Sequence, residues 1–142
     1  MDRDELIGSW RLEGVEVVGE DAGAGPAPFG GNPEGILHYL PDGRMAVLIQ
    51  NSDRAPIEGG RRGGSDVEWR RAARTFTAYA GSWTLEPGRV VHHVDFNSFP
   101  NDVGVDYIRI AHIDGDHLYL ETPTELPADQ RPMRLVWRRF AA

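Results

Sequence analysis

Two adjacent histidines, His92 and His93, are the first groups in this chain that could move a proton near neutral pH, since an unperturbed imidazole titrates there. They sit in Arg89–Asn97, a run of alternating residues that reads as a strand. Neighbours on a strand point to opposite faces, so these two cannot ligate one metal ion together. Val90, His92, Val94 and Phe96 form the more apolar face, which predicts His92 inside and His93 outside. His93 and Asp95 share the other face, a weak pair for a metal, and none is expected. His92 carries two readings: a general acid or base, or a buried imidazole satisfied by a neighbour. A second strand, Val105–Ile113, carries Tyr107 and Arg109 on one face and Asp106, Ile108, Ile110 and His112 on the other, and both faces are mixed. A guanidinium inside a fold needs a partner. A protein carboxylate would serve, and so would a ligand carboxylate, enolate or phenolate held by the bidentate fork.

With a turn centred near Asn101, His92 pairs near Ile110, one step from Arg109. The two side chains would then project into one space and bracket a ligand oxygen. Tyr107, Tyr39 and Tyr79 are candidate hydroxyl donors, although buried tyrosines are commonly core residues with a satisfied hydroxyl. Asn97 lies where strand gives way to connection, a position suited to a mouth. Trp10, Trp83 and Trp137 read most simply as core. Trp83 and Trp137, together with Tyr39, Tyr79, Phe96 and Asn97, are also the candidate ligand-binding set.

The chain must build the frame that positions these groups from 142 residues, enough for one domain with a core, and a single domain over 1–142 is expected. It has no cysteine, which removes disulfides, thiolate nucleophiles and cysteine metal sites. All 15 basic residues are arginine, which removes lysine Schiff-base chemistry. A net charge of −7 argues against nucleic acid as a partner. The locally basic set Arg54, Arg61, Arg62, Arg70, Arg71 and Arg74 reads first as a solvated surface. No apolar run is long enough to span a bilayer, and the charged start Met1–Glu5 has no signal-peptide core, so a cytoplasmic protein without a membrane partner is expected. Phosphate-loop and nucleophile-elbow motifs are absent, and no cofactor is expected.

Eight short strands emerge from alternation and turn chemistry: Ser9–Val18, Gly35–Leu40, Arg44–Gln50, Ala80–Glu86, Arg89–Asn97, Val105–Ile113, His117–Thr122 and Met133–Phe140. Pro41-Asp42-Gly43, Pro87-Gly88 and Asp114-Gly115-Asp116 are turns in which proline presets φ or glycine accepts a positive φ. This predicts an all-β antiparallel eight-stranded barrel. One helix, Ser65–Tyr79, breaks the pattern. Ser65 and Glu68 form a capping box, and Trp69, Ala72, Ala73 and Phe76 make one apolar stripe, so the helix should pack on the barrel or cap it. Gly19–Pro33 and Asn51–Gly64 read as irregular loops, with Gly59–Gly64 the most mobile backbone. Gly8-Ser9-Trp10-Arg11-Leu12 is echoed by Gly81-Ser82-Trp83-Thr84-Leu85. In each copy a glycine precedes an inward tryptophan, as suits an indole plugging a barrel end.

The opening Leu6-Ile7-Gly8-Ser9-Trp10-Arg11-Leu12 resembles that of bacterial and fungal lipocalin-like domain proteins. So do Gly35–Met45, the helix followed by Tyr79-Ala80-Gly81-Ser82-Trp83, Val91–Asp95, Gly104–Leu118 and the closing Leu135–Arg139. The resemblance covers nearly the whole chain and implies a lipocalin-like barrel around a pocket for a small hydrophobic or aromatic ligand. It is also this resemblance that implies Arg109 inside. Some such barrels are cofactor-independent cyclases, isomerases or dehydratases of specialised metabolism. The first functional expectation is therefore an enzyme acting on a polyketide- or terpenoid-like substrate, with His92 moving a proton and Arg109 and Tyr107 stabilising an oxyanion. The alternative is a non-catalytic carrier of a small hydrophobic ligand. A homodimer stays open. Fold alone does not choose between the two functions.

Overall fold

The computed structural model describes residues 1–18 and 28–141. Most of the Gly19–Pro33 loop read from the sequence, residues 19–27, lies outside them.

Eight antiparallel strands close on themselves in chain order: β1 Gly8–Val17, β2 Pro33–Tyr39, β3 Arg44–Asn51, β4 Phe76–Glu86, β5 Arg89–Asn97, β6 Asp106–Asp114, β7 His117–Glu121 and β8 Met133–Arg139. The last strand pairs with the first, Leu12 facing Trp137, so the sheet has no free edge. Alternation fills the interior. Leu37 and Tyr39 of β2, Met45, Val47 and Ile49 of β3, and Leu118 and Leu120 of β7 are all buried. His38, one residue from each inward neighbour on β2, turns outward to the Ser9 hydroxyl at 2.9 Å. No helix among the described residues is long and apolar enough to cross a membrane.

One end of the barrel is plugged. A short helix not anticipated from the sequence, α1 Arg3–Leu6, starts at Asp2, whose carboxylate accepts from the Glu5 amide at 3.1 Å. It delivers Leu6 to the barrel floor with no exposed surface. The Trp10 indole N–H donates to the Leu6 carbonyl at 3.0 Å and that of Trp83 to the Leu40 carbonyl at 3.2 Å. The Arg139 guanidinium lies 4.1 Å from the Trp10 ring and donates to the Ile7 carbonyl at 3.0 Å. Both tryptophans of the sequence echo therefore plug the same end, each with its one polar atom satisfied by main chain.

The second helix differs from expectation in length and in packing. It runs from Asp66 to Arg74, and Phe76–Tyr79 belongs to β4. The capping box at Ser65 and Glu68 is present. The helix ends because the β-prone run Phe76-Thr77-Ala78-Tyr79 finds partners in Gln50-Ile49-Leu48-Val47 of β3. No residue of α2 is buried, and Trp69 remains 45% exposed. Its indole N–H donates to the Gly63 carbonyl at 2.8 Å, so α2 leans on the preceding loop, and none of its residues lines the barrel cavity. The glycine-rich run expected to be mobile folds into a 3-10 helix, Gly60–Arg62. Gly64, at φ +87°, has no room for a Cβ against Ile57 and Trp69.

A buried polar relay at a barrel cavity

The register of β5 decides which side chains reach the interior. Val90, His92 and Val94 point inward, and then the ladder slips: Gly81 faces Val94 while Ala80 faces Phe96, so Asp95 is an extra residue in a β-bulge. The bulge exists because Gly81 lets two backbones touch. A Cβ on Gly81 would lie 1.8 Å from the His93 carbonyl oxygen. Past the bulge the faces are exchanged. Phe96, expected inside with His92, is 69% exposed on the outer wall, and Asn97 turns into the barrel.

The β5–β6 register also departs from the sequence estimate. His92 faces Tyr107, and Val90 faces Arg109. The bulge and the 3-10 helix Pro100–Asp102 make the connection asymmetric, which moves the pairing away from a simple turn. Tyr107 and Arg109 keep the inward face of β6, so His92 and Arg109 border the same cavity.

That cavity has a volume of about 460 Å³, within the range of small-molecule sites. Val47, Ile49, Leu120, Met133, Leu135 and the Trp137 ring make its apolar walls. Phe29, Ser98, Phe99 and Thr122 stand nearer the open end, with Asp129 and Arg131 from the β7–β8 connection. Three residues in the candidate ligand set, Phe96 on the outer wall among them, do not line it. Trp83 belongs to the floor, 4.9 Å from the Tyr39 ring between centroids. Tyr39 is wholly buried behind the cavity. Tyr79, Asn97 and Trp137 do line it.

His92 is at the centre of a relay and is 1% exposed. Its Nε2 lies 2.6 Å from the Tyr39 hydroxyl, and its Nδ1 lies 2.8 Å from the Tyr79 hydroxyl. Burial first, and then the nearby Arg109 charge, press its pKa down to about 3, so the ring is neutral near pH 7. Burial likewise pushes Tyr79 up to about 12 and Tyr39 well above the ordinary phenol value. At neutral pH the three groups share protons without net charge. Outside the barrel His93 bonds Asp106 at 2.7 Å and Thr84 at 3.0 Å.

Tyr107 is differently engaged. Its hydroxyl donates to Asp102 and accepts from Asn97 Nδ2 at 2.9 Å. Asn97 in turn accepts from the Phe99 amide at 2.8 Å, which ties β5, the connection and β6 together below the mouth. Burial and the bond to Asp102 both raise the Tyr107 phenol, so its proton stays on oxygen and is spent on that carboxylate. Arg109 stacks on the Tyr107 ring at 4.9 Å and donates to the Ile108 carbonyl at 2.9 Å. Among the described residues no carboxylate is within ion-pair range of it. Among the described residues, then, Arg109 is held by this ring and carbonyl and not by the protein carboxylate weighed from sequence. Asp102 was missed in the sequence because nothing in a Pro-Asn-Asp connection marks which carboxylate turns inward.

The model of the lipocalin-like domain matches residues 7–140 of the chain. The protein belongs to the lipocalin-like domain family. Within reach of sequence comparison, a 4'-hydroxy-3'-methoxypropiophenone carrier protein of Aspergillus oryzae is 34% identical over 87 residues, spanning 54% of this chain and 78% of the carrier. A solved structure described as a fatty acid transporter aligns over 98% of both chains at 8% identity, with a TM-score of 0.47. This lipocalin-like barrel has a closed eight-stranded wall around an internal cavity of small-molecule size.

Proposed function

We propose that the protein is a carrier for small, largely apolar aromatic molecules, and that it releases its cargo chemically unchanged. The observation that carries this reading is the state of His92. Both ring nitrogens are occupied by tyrosine hydroxyls, and the ring is neutral and almost fully buried. A general base needs a nitrogen within hydrogen-bond reach of substrate, and a general acid needs a pKa nearer the working pH. This imidazole offers neither. Tyr107 is likewise spent on Asp102. The cyclase, isomerase or dehydratase role expected for His92, Arg109 and Tyr107 therefore finds little support in the geometry, while an apolar cavity of about 460 Å³ suits retention.

The similar Aspergillus protein is named as a carrier of an aryl ketone, 4'-hydroxy-3'-methoxypropiophenone, and cargo of that kind is the natural first ligand. A methoxyphenyl ring would lie between the aliphatic walls. Trp137 lines the cavity, so its fluorescence reports occupancy directly.

Titration with 4'-hydroxy-3'-methoxypropiophenone should give saturable, one-to-one quenching of tryptophan emission. Mass spectrometry of the extracted ligand should show it unaltered after prolonged incubation. Conversion of the ligand to a product, abolished by His92→Gln, would restore the enzyme reading.

A further inference from the structure

The Tyr39–His92–Tyr79 relay has a direction, and burial sets it. Tyr39 has no exposed surface, and the partner of its hydroxyl is His92 Nε2. A neutral imidazole carries one ring proton. If that proton sat on Nε2, the Tyr39 hydroxyl hydrogen would be left in the core without an acceptor, which buried polar groups avoid. The hydroxyl therefore donates to a bare Nε2, and the ring proton sits on Nδ1. Nδ1–H then donates to the Tyr79 oxygen. This leaves the Tyr79 hydroxyl hydrogen with no acceptor among the described residues, on a side chain that lines the cavity.

A second unpartnered donor lies deeper, closed off from the cavity space by its own burial. The Trp137 indole N–H is buried, the residue is 1% exposed, and among the described residues this nitrogen has no hydrogen-bond partner. Trp10 and Trp83 both place theirs on main-chain carbonyls. Trp137 lines the cavity. The nearby acceptors are committed elsewhere: Asp102 to Tyr107, and Asn97 Oδ1 to the Phe99 amide. The Arg109 charge borders the same space.

We propose that the inner part of the cavity is a carbonyl-reading subsite, in which the ligand's ketone oxygen accepts from the Tyr79 hydroxyl. The proposal rests on the carrier reading above and deepens it: the cargo class is a neutral aryl ketone bound with its carbonyl toward β4. Tyr39 and His92 are positioning residues that aim the Tyr79 proton and never meet the ligand oxygen.

The test uses two probes with one carbon skeleton, propiophenone and n-propylbenzene, which differ by the carbonyl oxygen. Both are titrated into the full chain and followed by tryptophan quenching or calorimetry. One satisfied hydrogen bond corresponds to a preference of about fivefold to tenfold for the ketone. Tyr79→Phe should abolish most of that preference, weakening the ketone several-fold more than n-propylbenzene. Infrared spectra of carbonyl-labelled propiophenone bound to the unmodified protein should show the stretch at lower wavenumber than in cyclohexane. This second measurement needs no variant. Equal affinity for the two probes, or a bound carbonyl stretch matching that in cyclohexane, overturns the carbonyl subsite and leaves the carrier reading standing. Failure of both probes to bind overturns the carrier reading and the subsite with it.

Discussion

The two ends of this barrel are built on opposite rules. At the floor, Leu6, Trp10 and Trp83 are packed without gaps, each indole N–H is satisfied by main chain, and the cations Arg3 and Arg139 stack on the rings from outside. Toward the mouth, Asn97, Tyr107 and Asp102 form a polar bridge, Phe29 holds a left-handed backbone at φ 55°, and the wall residues enclose a cavity. An eight-stranded barrel is just wide enough to be filled by side chains or to hold one small ligand, and this one does the first at its floor and leaves room for the second above it. Stability is concentrated where the indoles are, and binding where packing is incomplete. The relay through His92 lies at the boundary.

The comparison would break first at Trp10. Trp10→Ala should cost about 3–5 kcal/mol, read as a lower midpoint in urea unfolding, because a fully buried indole leaves a cavity that neighbours cannot close. A loss below about 1 kcal/mol would mean that the floor does not carry the fold.

The boundary should show in pH dependence. His92 has a folded pKa near 3 against an ordinary value near 6.5, so between those values the unfolded chain binds a proton that the folded chain refuses. Stability therefore falls as pH drops from 6.5 toward 3, by up to about 1.4 kcal/mol per pH unit from this group. Relative to His92→Gln, the unmodified chain should lose stability more steeply in that window. Parallel profiles would place His92 in contact with water.

A smaller loss is expected at the bulge. Gly81→Ala puts a Cβ into the His93 carbonyl and should cost about 1–3 kcal/mol, comparable to overpacking a core. It should also weaken ligand binding, because the bulge is what turns Asn97 inward. Unchanged binding would detach the mouth from the bulge.

The smallest effect on stability belongs to the mouth. Phe29→Gly removes an aromatic ring and relieves a positive φ worth about 1 kcal/mol, so the midpoint should hardly move. Affinity for an aryl ketone should nevertheless drop several-fold. A large stability loss with unchanged affinity would invert the roles assigned to the two ends.

Strand identity, the outward His93 and the glycine–tryptophan floor were legible in the chain, because each depends on period-two alternation and local turn chemistry, whereas both faces of β6 are mixed and only the family resemblance pointed Arg109 inward. Pro41-Asp42-Gly43 and Asp114-Gly115-Asp116 mark hairpins by themselves. Where the helix would stop was not legible. Phe76 continues the helical stripe as well as it begins a strand, and only pairing with Gln50 decides. Phe96 and Asn97 exchanged faces for a related reason. Alternation is a local rule, and a bulge cancels it wherever a distant backbone comes close enough to require Gly81.

The sequence by itself thus pointed to an antiparallel barrel with His92 facing inward, and the family resemblance added Arg109. Tertiary structure decided what those groups are. Whether an inward histidine is a base or a link in a relay depends on what touches its two nitrogens. Tyr39 and Tyr79 lie 53 and 13 residues away along the chain and reach it only because the sheet closes. Burial and hydrogen-bond partnership are properties of three-dimensional neighbourhoods, and no pattern of residue types along a strand encodes them.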